Sequence, residues 1–358
     1  MEIKENLTYD DINIKPLFSE INHRSDCDTS TQFSRNTYMK IPLISSPMDT
    51  ITDYKMASEM MRLGGVGVVH RFMTIKEQSK IISLLYCDWM MSKMDKTVPI
   101  CAAIGVTGDW FERAEELIEN GCNVLLLDIA HGHHKLVKEA LEILNGKHNR
   151  KNFDVVAGSI ATKDAAKDLC EWGADGIRVG IGNGSLCETR IRTGVGVPQV
   201  SVILDCVGVA DDYAIPIIAD GGIRYPADVV KGLALGADSI MVGSLLSGTK
   251  ETPGAIEKVG EWPNEQLFKK YRGSASLESK LERNEDGKNI EGNSKITLYK
   301  GKTKRIINDI IDGLKSAMSY VGSKNLQELQ SKCEFIKVTN AGIIEAGPHG
   351  LKKGLQIY

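Results

Sequence analysis

A closed (β/α)8 barrel is the fold class that this sequence predicts. Three observations point to it: eight apolar runs of strand length, gaps of helix length between them, and polar or glycine-rich residues at the ends of the runs. In order the runs are IPLISS (41–46), GVGVVH (65–70), VPICAAIG (98–105), NVLLLD (123–128), FDVVAGS (153–159), GIRVG (176–180), IPIIAD (215–220) and SIMVGS (239–244). Their hydrophobicity is nearly continuous, without polar alternation, as strands buried on both faces require. Each gap has room for the crossover helix that a parallel pair needs. Apolar residues at helical spacing predict helices over 111–120 and 135–144, and Pro226 suits the first turn of a helix over 226–235. Eight units between residues 41 and 244 favour one closed barrel domain, spanning the chain from 1 to 358, over the alternative of an open doubly wound sheet.

Composition narrows the function classes. A net charge of −3, with basic residues spread along the chain, gives no field for DNA or RNA, so nucleic acid is excluded as a partner while nucleotides are not. The eight cysteines show no CxxC pair and no zinc-like spacing with histidine, and they fall in apolar stretches, as reduced thiols do. MEIKENLTYDD is acidic where a signal peptide is basic and then apolar, and no stretch approaches the roughly 18 apolar residues of a membrane span. The expectation is a soluble, cytoplasmic protein that engages no membrane.

Barrel enzymes place their chemistry at the C-terminal ends of the strands. Read that way, the candidates are Ser46 and Asp49, His70 and Arg71, Asp128 with His131, Ser159, Cys187, Asp220 with Gly221 and Gly222, and Gly243 with Ser244. ADGGIR after the seventh strand and VGS after the eighth offer bare backbone N–H groups, and a helix starting near Tyr225 can aim its N-terminus at an anion. Together they read as a phosphate cradle; the plainer reading is tight turns. Cys187 stands apart from the other cysteines because it follows Gly180, Gly182 and Gly184 in a polar loop beyond the sixth strand, where N–H groups can stabilise a thiolate. That position favours a nucleophile over a small buried hydrophobe.

GIGNGSLCETR followed by TGVGVPQ resembles the active-site loop of the IMP dehydrogenase and GMP reductase family, in which a cysteine attacks C2 of a purine nucleotide. LTYDDINIKP, SSPMDT, LGGVGVVHR, LLLDIAHGH, IADGGIRYPADVVKGLALGADSIMVGSLLSGT, KKYRG and AGIIEAGPHG extend the resemblance over the whole chain, in order. It implies that Cys187 forms the covalent purine adduct, that Ser185, Asp220, Gly221, Gly222, Gly243, Ser244 and Tyr271 hold ribose and phosphate, and that Met48 packs on the base. Asp128 and Gly180 then fall to the dinucleotide, NADPH or NAD. Carbonyls of Gly182, Gly184 and Cys187 match a potassium site, completed by Glu345 from a neighbouring subunit; the alternative for Glu345 is a solvated tail carboxylate. A homotetramer is implied as well. Relatives insert paired regulatory CBS modules between positions equivalent to Met73 and Pro99, and the 25 residues here leave no room for them.

The resemblance covers two reactions. The dehydrogenase oxidises IMP with NAD and hydrolyses the thioimidate with water activated by an Arg-Tyr pair on a flap; the reductase deaminates GMP and takes hydride from NADPH. The flap lies within 274–298 and contains no Arg-Tyr, its nearest remnant being Arg283-Asn284. Thr189 and Glu278 are candidates for the pair with which the reductase protonates departing ammonia, unless Glu278 is simply a helix surface residue. The flap therefore favours GMP reductase. The barrel body and the C-terminal extension resemble the dehydrogenase branch, which stays the alternative. Asn183 stands where proline is usual, and Glu188 stands where threonine is usual, adding charge that would oppose a thiolate if it pointed inward. An inactive nucleotide-binding relative is the third reading, and a flavin-dependent barrel enzyme is a more distant one.

Overall fold

The computed structural model describes residues 3–91, 97–147, 150–261, 263–283 and 286–347. All eight runs form strands: β1 Leu43–Ser45, β2 Val66–Val69, β3 Cys101–Ile104, β4 Val124–Asp128, β5 Asp154–Ile160, β6 Gly176–Val179, β7 Ile217–Asp220 and β8 Ser239–Val242. They close into a parallel barrel, with Ile240 of β8 opposite Leu43 of β1 and Met241 opposite Ile44. The interior and the inner faces of the helices are filled by Val, Ile, Leu and Met side chains with almost no exposure. Burial of each such side chain is worth about 1.5–3 kcal/mol.

The crossovers are α1 Tyr54–Leu63, α2 Ile75–Met91, α3 Trp110–Glu119, α4 Lys135–Asn145, α5 Lys163–Glu171, the short α6 Thr189–Thr193, α7 Gln199–Asp212 and α8 Pro226–Ala234. Local signals set their ends. Asp53 caps α1 by accepting the Lys55 N–H at 3.0 Å, and Gly64 closes it in the left-handed conformation at φ 86°. Thr162 caps α5 from the Ala165 N–H. Buried Val137, Ala140, Leu141 and Leu144 face the core from α4 at the spacing that predicts the helix.

After β8 the chain leaves the barrel wall for an antiparallel sheet of β9 Glu257–Val259, β10 Gln266–Arg272 and β11 Ser294–Leu298. Between β10 and β11 lie α9 Leu277–Glu282 and the return of the flap. Residues 284 and 285, and with them the Asn284 of the Arg-Tyr remnant, fall outside the described residues. The outer layer is then completed by α10 Thr303–Val321 and α11 Leu326–Lys332. The strand Ile12–Ile14 pairs antiparallel with Phe335–Lys337. Helix α12, Asn340–Glu345, follows; residues 348–350 of the tail motif lie outside the described residues.

At the N-terminal ends of the strands, the Ile217 N–H donates to the Asp238 carboxylate at 2.7 Å. Burial pushes this carboxyl up to about 7 from an ordinary 3.8. The folded group keeps its proton to higher pH than the unfolded one. Its stabilising contribution is therefore full below the unfolded value and is lost as pH rises through the folded value. Asp238→Asn keeps an oxygen for Ile217 and removes the titration. Its melting temperature is expected to lack the component of decline that the parent shows between about pH 4 and about pH 7. Parallel pH profiles for the two proteins would refute this.

Candidate active site

The C-terminal ends of the strands open on a cleft of about 810 Å³, walled by Ser46, Met48, Arg71, Asp128, Ser159, Arg178, Gly180, the loop from Ile181 to Cys187, Asp220 to Ile223, Gly243, Ser244 and Tyr271. Such a volume suits a nucleotide with part of a second ligand. The loop that carries the cysteine starts at Gly180, where φ is 138° and a Cβ would collide with the carbonyl of Asp220. It ends in α6, whose first residue is Thr189.

Cys187 is half-buried, its N–H donates to the Gly184 carbonyl at 3.1 Å, and it bridges antiparallel to Gly292 of the flap. The thiol donates to Thr189 Oγ1 at 3.1 Å, and the Thr189 hydroxyl donates to Glu291 Oε2 at 2.7 Å. This corrects the expected pairing of Thr189 with Glu278. The returning limb of the flap runs along the cysteine loop, with the Glu188 N–H on the Glu291 carbonyl at 2.8 Å and the Asn293 N–H on the Leu186 carbonyl at 3.0 Å. Glu278 instead sits on the first turn of α9, where Lys270 at 3.5 Å and Arg272 at 3.6 Å hold it.

Both departures in the loop have a structural account. Glu188 points away from the sulfur, pairing with Arg192 at 2.8 Å and accepting from Asn293 Nδ2 at 3.1 Å. Asn183 accepts from Arg190 with its oxygen and donates to Gln199 Oε1 with its amide. Its backbone carbonyl takes the Gly222 N–H at 2.8 Å. Hydrogen bonds thus brace the loop where a proline ring would have stiffened it. Burial holds the Arg190 guanidinium below its ordinary pKa, and the nearby Cys187 acts in the opposite direction.

Two carboxylates face the cleft from opposite sides. Asp128, at the end of β4, accepts from Arg178 Nη2 at 2.8 Å and lies 3.8 Å from Arg71 Nε. Asp220, at the end of β7, lies 3.7 Å from Arg178 Nη1. Burial pushes the Asp220 carboxyl up and the Arg178 charge pulls it back. The hydroxyls of Ser185 and Tyr271 are 3.0 Å apart, joining the cysteine loop to β10. The Met48 sulfur lies against Gly243.

At the ends of β7 and β8, the helix contribution differs from expectation. The Arg224 and Tyr225 N–H groups donate to the Asp228 carboxylate at 2.8 and 3.0 Å, so α8 is capped by its own side chain. Gly222 spends its N–H on Asn183. Gly221, Gly243 and Ser244 remain in the wall. Among the other strand ends, Ser46 and Ser159 reach the cleft and exposed His131 is outside its lining. Asp49 is taken by Arg272 at 2.7 Å. His70 is buried, accepts the Phe72 N–H at 3.1 Å and is driven by desolvation down to about 4, so it is neutral at physiological pH.

The loop's backbone carbonyls are hard oxygen donors of the kind that suit a monovalent cation, although that of Gly184 already accepts the Cys187 N–H. Glu345 stands exposed at the end of α12. Among the described residues no group of His, Cys, Asp and Glu could hold a metal ion, and no helix is long and apolar enough to cross a membrane.

Two residues of this constellation escape a motif-based reading. Glu291 has only the signal of a carboxylate before a glycine at the end of the flap. Arg178 has a sharper one, a charge in the middle of the apolar run GIRVG.

A model of the IMP dehydrogenase / GMP reductase domain matches residues 6–349. An inosine-5'-monophosphate dehydrogenase of Cryptosporidium parvum is 37% identical over 98% of this chain and 96% of its own length. A GMP reductase of Leishmania major is 29% identical over 98% of each chain. Among solved structures, a GMP reductase of Trypanosoma brucei in complex with guanosine 5'-monophosphate superposes with a TM-score of 0.89 at 28% identity, covering 98% of this chain and 99% of that one.

Proposed function

Since the chain belongs to the IMP dehydrogenase / GMP reductase family of nicotinamide-dependent oxidoreductases, we propose that it is a GMP reductase, converting GMP and NADPH to IMP, ammonia and NADP. The observation that carries this reading is the Cys187–Thr189–Glu291 relay beside a flap without a phenol. The sulfur, hydroxyl and carboxyl are in hydrogen-bond sequence, and no tyrosine occurs in residues 274–298.

The residues divide the work as follows. Asp220, Ser185, Tyr271 and the glycine-rich ends of β7 and β8 hold the ribose and phosphate, with Met48 against the base. Cys187 adds to C2 of the purine as its thiol proton passes through Thr189 to Glu291, and the same proton, returned through Thr189, converts the amino group to departing ammonia and leaves a thioimidate on Cys187. A dinucleotide bound on the Asp128 side of the cleft would supply hydride to C2. As the C–H bond forms, the C–S bond breaks and the Cys187 thiolate returns. Asp128, with Gly180, orients the cofactor on its side of the cleft. A flap that supplies no Arg-Tyr base leaves the thioimidate to the hydride rather than to water.

The rest of the reading follows the resemblance: a single catalytic barrel without CBS modules, a potassium ion on the carbonyls of residues 182, 184 and 187 with Glu345 from a neighbouring subunit, a homotetramer, and a cytoplasmic site of action. One observation favours the second reading, IMP dehydrogenase: the C. parvum dehydrogenase is more similar in sequence than the Leishmania reductase, 37% against 29%. Absorbance of reduced nicotinamide, followed with potassium present, decides between them. GMP with NADPH is expected to turn over and IMP with NAD is not. Turnover confined to IMP and NAD would overturn the assignment.

A further inference from the structure

Arg178 is a guanidinium inside a barrel strand, 5% exposed, with the two nucleotide-facing carboxylates on either side of it. Nη2 donates to Asp128 Oδ1 at 2.8 Å, Nη1 stands 3.7 Å from Asp220 Oδ2 and also faces the Met241 sulfur at 4.0 Å, and Nε is buried without a partner. Gly158 on β5 makes room for it, because a Cβ there would collide with the Arg178 backbone. A buried cation is retained only with compensating partners, and removing one partner is far more costly than at the surface. One charge here serves two carboxylates. Among the described residues neither has another cation as near, since Arg71 reaches only Asp128 and at 3.8 Å.

Resting on the reading of Asp220 as the substrate-ribose residue and Asp128 as the cofactor residue, we infer that Arg178 is a positioning residue that couples the two subsites. Hydroxyls that donate to Asp220 satisfy that carboxylate and weaken its claim on the guanidinium. The guanidinium then shifts toward Asp128 and fixes the carboxylate that receives the dinucleotide. Coupling of this kind is reciprocal: the dinucleotide tightens the mononucleotide by the same factor. Neither Asp128 nor Asp220 does this alone, because the two groups belong to β4 and β7, which are not neighbours in the barrel.

The test uses the full chain with Cys187→Ala, which removes the chemistry so that both nucleotides can be bound together. Dissociation constants for GMP are measured by calorimetry with and without saturating NADPH, and those for NADPH with and without GMP. The parent is expected to show a tightening of about 5-fold or more in each direction, the lower end of common coupling. Arg178→Met is expected to bring the factor to about one, and Arg178→Lys, which keeps a charge but not the fork, to an intermediate value. The conservative variant also serves if the methionine variant does not fold. A factor of one in the parent, or a factor unchanged in both variants while each affinity falls separately, overturns the inference. Failure of GMP and NADPH to bind the parent at all would instead strike the proposed function.

Discussion

Cys187→Ala is expected to abolish turnover, lowering kcat by roughly four orders of magnitude or more, as removal of a covalent nucleophile does. The loss converts to at least about 5.5 kcal/mol of activation free energy at 1.36 kcal/mol per decade. The two hydroxyls nearest it in sequence are already engaged: Ser185 is held by Tyr271 at 3.0 Å, and Thr189 is held by Glu291 at 2.7 Å as part of the relay. Binding should survive, because the proposed reading gives ribose and phosphate to Asp220 and the ends of β7 and β8 and not to the sulfur. The expected signature is a mononucleotide dissociation constant within a few-fold of the parent's beside a collapsed kcat. Intact-mass analysis of quenched reactions should show a purine adduct on the parent and none on the variant. Residual activity within tenfold of the parent would remove Cys187 from the mechanism.

The barrel and the cysteine loop are legible in the sequence for one physical reason. Strands buried on both faces must be apolar throughout, so each of the eight runs stands out from its surroundings. Glycines at 180, 182 and 184 mark the loop because no other residue takes φ 138° at Gly180 against the Asp220 carbonyl. What fails to show is how distant segments meet. Glu278 and Glu291 are both carboxylates on one flap, and only the return of residues 291–293 along the cysteine loop selects the second. The same limit explains α8, whose N-terminus reads as free for an anion until Asp228 folds back on it. Glu188 is a third case. Its charge is visible in the sequence, but its direction is set by Arg192 and Asn293, and it leaves the sulfur alone.

Glu291→Gln separates the two flap carboxylates. Glutamine keeps an oxygen to accept the Thr189 hydroxyl and occupies nearly the same volume, but it cannot deliver a proton. For GMP with NADPH, kcat is expected to fall by roughly 10²–10³, the usual worth of a positioned acid, with little change in KM. Glu278→Gln should change kcat by no more than about 3-fold, because Glu278 is partly exposed and its partners Lys270 and Arg272 lie at 3.5 and 3.6 Å, a weak surface arrangement. Thr189→Ala should match the Glu291 variant, and the double variant should be no worse than either single one, since groups that act in series lose the same function once. A further arm isolates the step. IMP with the oxidised dinucleotide runs the hydride transfer backwards without an amino group, so that half-reaction should be nearly untouched by Glu291→Gln. Equal slowing of both half-reactions would mean that Glu291 acts by holding the cysteine loop in shape. A large effect of Glu278→Gln, with Glu291→Gln benign, would return the acid to α9 and show that the flap rearranges before the ammonia leaves.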